Sequence, residues 1–84
     1  MNKAIYISAM PFSEKVSRDW YINLLHENNY DIEFWDVSDI SNSNKNIIYS
    51  TRDKIQVLSN FSYPKFEEML IRNNHIKIIY IIVV

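Results

Sequence analysis

Eighty-four residues, 48% hydrophobic and 23% charged, match ordinary globular composition and make at most one small domain, which argues against disorder of the chain as a whole. A net charge of −1 and a pI near 6.0 lack the basic stripe of a nucleic-acid binder, and no like-charge block forms a membrane patch. With no cysteine, disulfides, thiolate zinc sites and a cysteine nucleophile are all excluded.

A domain of this size buries only roughly 60–65% of its unfolded surface, so its core is marginal without help. The longest apolar run, Ile78 to Val84, is far short of the ~20 residues that span a bilayer, and no transmembrane segment is expected. Met1 to Met10 has a charged start at Lys3, as a signal peptide would. Ser8 and Pro11 break its apolar stretch early, and no small-x-small cleavage site follows. The expected location is the cytoplasm. Glycine is absent, where a chain of this length would carry about six at the usual ~7%. Both glycine-rich phosphate loops need glycine for close backbone approach, so dinucleotide dehydrogenase and P-loop readings fall away.

In chain order, Lys3 to Ala9 is a β-branched and aromatic run closed by Pro11, which predicts a strand. Ser13 stands where a helix N-cap belongs, with Glu14 in the first turn to complement the helix dipole. Val16, Trp20 and Leu24, widened by Tyr21 and Leu25, predict one amphipathic helix ended by Asn28-Asn29. Tyr30 to Val37 reads as the second strand and Ser38 to Asn46 as a polar loop. Lys54 to Leu58 predicts a short edge strand. A second helix runs from about Pro64 to Asn73, capped by Ser62 or Asn60, with Phe66, Met69 and Leu70 as its apolar stripe. Asn73-Asn74 closes it as Asn28-Asn29 closed the first.

Ile76 to Val84 is nearly uninterrupted Ile, Tyr and Val, which predicts a central strand covered on both faces. Right-handed crossovers then give an α/β fold: a partial Rossmann-like, three-layer arrangement of two helices on a mostly parallel sheet of three to four strands, order 3-2-1-4. Two helices are few for such a sheet. The expectation is a fragment of a longer protein, or helical cover from a partner.

Ligands of open α/β sheets bind beyond the carboxyl ends of the strands, here Ser8 to Lys15 and Asp36 to Asp39. Ser8, Met10, Ser13, Arg18 and Asp36 are the candidate substrate-binding residues. Ser13 either caps its helix or contacts an anion or sugar hydroxyl; Lys15 and Arg18 either add contacts or are solvated. Asp36 either binds a ribose-like hydroxyl or caps the next turn. His26 is expected on the outer helix face and His75 in a turn. No carboxylate–histidine arrangement gives a metal site, no cofactor is expected, and no Ser/His/Asp triad can be argued. Trp20, Tyr21, Phe34 and Trp35 are expected in the core rather than as a base-stacking platform.

Two stretches resemble the amino-terminal domain of bacterial glycosyltransferases that build capsular or other surface polysaccharide. The first is Ile5-Tyr-Ile-Ser-Ala-Met-Pro-Phe-Ser13 with Asp19-Trp-Tyr-Ile-Asn-Leu-Leu25 and Ile32-Glu-Phe-Trp-Asp-Val-Ser38. The second is Phe61-Ser-Tyr-Pro-Lys-Phe-Glu-Glu-Met-Leu70 leading into Ile78-Ile-Tyr-Ile81. The resemblance covers most of the chain and includes no catalytic motif. It implies a GT-B enzyme whose first domain holds the acceptor and whose second holds the nucleotide-sugar. The Ser8 to Ser13 loop would face the interdomain cleft, with no donor site in this chain and no activity from it alone. The partners so implied are the remainder of a larger chain and a carbohydrate acceptor or nucleotide-sugar. The rival expectation is a small module that self-associates through an exposed sheet edge or face. A small flavodoxin-like domain holding an anion at the first helix is a third.

Overall fold

The computed structural model describes residues 2–73 and 78–83. Its elements are β1 (Asn2–Ser8), α1 (Glu14–Asp19), α2 (Ile22–Glu27), β2 (Tyr30–Asp36), β3 (Ile48–Arg52), β4 (Ile55–Ser59), α3 (Tyr63–Arg72) and β5 (Ile78–Val83). The chain is an α/β domain whose described residues form a five-stranded mixed sheet in the order β3-β4-β2-β1-β5. β4, β2, β1 and β5 pair in parallel, and β3 joins β4 antiparallel.

Alternation along the strands sorts side chains into two cores. Ala4, Tyr6, Ile32, Phe34, Ile55 and Val57 face α1 and α2, where Val16 and Ile22 meet them. Ile5, Ile7, Trp35 and Leu58 face α3, against Phe61, Phe66 and Met69. β1 is buried on both faces because helices cover both sides of it, the condition that favours parallel strands. Trp35, Tyr6, Phe34 and Phe61 are the largest fully buried side chains, each stabilising by about 2–3 kcal/mol through its apolar area.

The parallel β4-β2-β1-β5 stretch has the neighbours expected from the sequence, but four expectations are corrected. First, the sheet has five strands, not three or four, and the hairpin partner β3 takes the outer edge expected for Lys54 to Leu58. Lys54 lies in the turn instead, where Asp53 and Lys54 both adopt left-handed backbone (φ 51° and 67°). Positive φ at both central residues suits a tight hairpin, usually written with glycine.

Second, the first predicted helix is two, giving three helices among the described residues. Tyr21 has φ 58° and ψ 28°, and this left-handed residue re-aims the chain between α1 and α2. Ile22 therefore takes the core position, while Tyr21 and Leu24 are 68% and 53% exposed. Third, Trp20 is only partly buried, so of the four expected core aromatics Phe34 and Trp35 alone are fully enclosed.

Fourth, β5 lies beside β1 as expected but at the sheet edge, not in the centre. Ile78 packs under α3, whereas Tyr80 and Ile82 on the same face are 40% and 64% exposed because the helix does not reach them. The expected positions of Asn74, His75, the strand start at Ile76-Lys77 and its end at Val84 lie outside the described residues.

Helix ends follow the expected chemistry. Ser62 rather than Asn60 caps α3, its side chain accepting from the Lys65 amide, with Pro64 in the first turn. Asn60 instead takes φ 62°. Asn28 caps α2 and Asn29 follows at φ 67°, asparagine substituting for glycine in the left-handed position.

Candidate functional site

The carboxyl-end rim is built by β1 and β2, whose in-register pairing sets Ser8 beside Asp36. The Val37 amide donates to the Ser8 carbonyl at 2.8 Å, which joins the two strand ends. Ser8 is fully buried. Its hydroxyl accepts from the Met10 amide and donates to the Met10 carbonyl, both at 2.9 Å, and so folds the chain back. Met10 projects from this turn, 42% exposed.

Phe12 anchors the rest of the loop. It is buried edge-on against Phe34, with ring centroids 5.2 Å apart. Arg52 closes over its other side, the guanidinium 5.2 Å from the ring centroid and Nη1 donating to the Phe12 carbonyl at 3.1 Å. This contact ties the rim loop to the β3–β4 hairpin.

Ser13 is the N-cap of α1, its Oγ accepting from the Val16 amide at 3.1 Å. A helix of six residues aligns few peptide dipoles, which leaves little field for an anion. Arg18 sits in the last turn of α1, exposed, with Nε 3.7 Å from Asp19 Oδ1. Asp36 is half-buried, and its Oδ1 accepts from the Ser38 amide at 2.9 Å, so the carboxylate caps the following turn. Asp39 pairs with Lys45. Ser8, Met10 and Asp36 thus share the rim, Ser13 borders it at the head of α1, and Arg18 belongs to the opposite end of that helix.

Among the described residues, two titrating groups are shifted. Burial raises the Tyr6 phenol above its ordinary value of 10.0, and its hydroxyl donates to the Trp20 carbonyl at 2.7 Å, closing the end of α1. Asp19 is lowered from 3.8, first by its hydrogen bond from Lys15 and then by the charges of Lys15 and Arg18. His26 is exposed, and among the described residues no group of three or more His, Asp or Glu side chains converges to hold a metal ion.

Two grooves lie away from the rim. A groove of about 210 Å3 runs between α3 and the outer hairpin, lined by Asn46, Tyr49, Lys65, Glu68, Met69 and Arg72 among others. A second, of about 240 Å3, lies among His26, Asn29, Tyr30, Asp31 and Lys54 at the amino ends of the strands. Sequence reasoning missed the first groove because it missed β3. Its one legible signal is the spacing of Lys65, Glu68 and Arg72, which puts all three on one face of a helix. No helix among the described residues is long and apolar enough to cross a membrane. Comparison of the chain with protein-family models, with curated proteins and with solved structures finds no match in any of the three.

Proposed function

We propose that the chain is the amino-terminal, acceptor-side portion of a cytoplasmic glycosyltransferase of surface-polysaccharide biosynthesis, of GT-B type and inactive by itself. The carrying observation is the rim, where the half-buried Asp36 carboxylate stands at the carboxyl end of β2, held beside β1 by the buried Ser8, with Met10 exposed on the adjoining turn. Open α/β sheets bind ligands at that end. The stretches that resemble the transferases fall on β1, the rim loop, α1, α2 and β2, and again on α3 and β5. On this reading the domain is Rossmann-like, and Asp36 Oδ2, the oxygen not used in the turn cap, receives an acceptor hydroxyl beside the exposed Met10 side chain. The donor's nucleotide-sugar diphosphate would need a phosphate cradle, and a chain without glycine has none of the glycine loops that make one. By the resemblance, the donor belongs to a second domain.

Amide NMR spectra test the rim. Titration with a neutral hexose trisaccharide is expected to shift Met10, Phe12 and Val37 to Asp39, and uridine diphosphate glucose is expected to leave them in place. Saturable shifts from the nucleotide-sugar, or no rim shift from either, would contradict the reading.

A second reading, a module that self-associates through its sheet edge, is favoured by β5. Its residues Ile-Ile-Tyr-Ile-Ile-Val carry no charge and no proline, and among the described residues it pairs only with β1. A discrete dimer by light scattering over a range of concentrations supports this second reading, and a monomer throughout opposes it.

A further inference from the structure

We propose that the groove between α3 and β3 binds one acidic sugar unit, a pyranose ring carrying a single carboxylate. The site is independent of the rim, and failure of either leaves the other standing.

Three features converge on it. Tyr49 pairs with Leu58 across the hairpin, so its ring lies on the α3 side of the sheet, and it is 54% exposed along the groove. An exposed aromatic face carries the negative part of the ring quadrupole and receives the polarised C–H groups of a sugar face. Opposite it, Lys65 Nζ lies 3.5 Å from Glu68 Oε2, and Arg72 Nη2 lies 3.2 Å from Glu68 Oε1. Both carboxylate oxygens are thus occupied. The guanidinium keeps further donors, in the planar fork that matches a second carboxylate. Two cations against one anion leave a charge of +1 facing the groove. That charge is balanced by one carboxylate.

The groove's volume of about 210 Å3 accommodates one ring. Asn46 lines the same groove, and its side-chain amide can both donate to and accept from ring hydroxyls. Met69 supplies an apolar floor. An aromatic platform, a fixed cation and an amide around a ring-sized space define the ligand class.

Amide NMR titration of the 84-residue chain with sodium glucuronate tests this, with glucose and sodium acetate as controls. The expected result is saturable shifts at Tyr49, Lys65, Glu68 and Arg72, with glucose and acetate each bound at least about tenfold more weakly. Tyr49→Ser and Arg72→Gln should each weaken glucuronate about tenfold while leaving the other amides unmoved, since both side chains are solvent-exposed. Acetate matching glucuronate would reduce the site to a bare anion contact and overturn the proposal. So would shifts confined to other surfaces, or none at glucuronate concentrations on the order of tens of millimolar.

Discussion

Lys3 and Glu33 form an ion pair at 2.6 Å with only 16% and 12% of their side chains exposed. Each has a second partner: Lys3 Nζ donates to Asn73 Oδ1 at 3.3 Å, and Glu33 Oε1 accepts from Trp35 Nε1 at 2.9 Å. The pair therefore links β1, β2 and the end of α3. Removing one member leaves the other charge poorly solvated. Lys3→Met should lower unfolding free energy by about 2–3 kcal/mol in urea titration. Adding Glu33→Gln, which keeps the acceptor for Trp35, should cost less than the sum of the single changes.

Among the described residues, five non-glycine positions hold left-handed backbone, and Tyr21 and Lys54 are the least suited to it. Both are exposed, so replacing them disturbs no packing. Tyr21→Asn and Lys54→Gly should each raise stability by about 0.5–1 kcal/mol, read as a Tm increase of several degrees. No change in Tm would mean that neither turn holds its residue in the left-handed region.

Tyr6 and Asp19 set opposite pH limbs. The Tyr6 phenol is raised in the fold, so its contribution is complete below the ordinary value of 10.0 and is lost as pH rises through the folded value. Tyr6→Phe should lower stability by about 1 kcal/mol at neutral pH and flatten the alkaline limb. Asp19 is lowered, so its contribution is complete above its ordinary 3.8 and is lost as pH falls through the folded value. Asp19→Asn should flatten the acid limb, by little, since the group is exposed and solvent screens it. Chemical unfolding at a series of pH values checks both.

If the self-association reading holds, the exposed Tyr80 and Ile82 of β5 form the contact. Ile82, 64% exposed on the α3 side, is the position to charge. Ile82→Lys should reduce concentration-dependent association in analytical ultracentrifugation while leaving Tm within about 1 °C, because surface changes away from packed contacts alter stability little. Unchanged association would exclude this face as the contact.

The elements legible in the sequence are those whose burial matches their pattern. β1 and β2 were legible from runs of β-branched and aromatic residues, and α3 from Ser62, Pro64 and the Phe66–Met69–Leu70 stripe. β3 was hidden because every residue from Ile48 to Arg52 is exposed, and its turn lacks the glycine that marks a tight hairpin. The break at Tyr21 was hidden because tyrosine rarely adopts a left-handed conformation, and the Val16–Trp20–Leu24 spacing fits an unbroken helix. The edge position of β5 was misread because a continuous apolar run ordinarily means cover on both faces. At the rim, the capping alternatives weighed for Ser13 and Asp36 are the contacts those side chains make. Neither contact carries information about a ligand. The groove beside Tyr49 needs β3 in place, so its residues could not be grouped before the hairpin was known.

The most direct test of the acceptor-domain account is to read the coding DNA past the Val84 codon. The account predicts an open frame that continues into a second αβ domain with its own nucleotide-sugar site. A stop codon directly after Val84 would contradict it and leave self-association through β5 as the better reading.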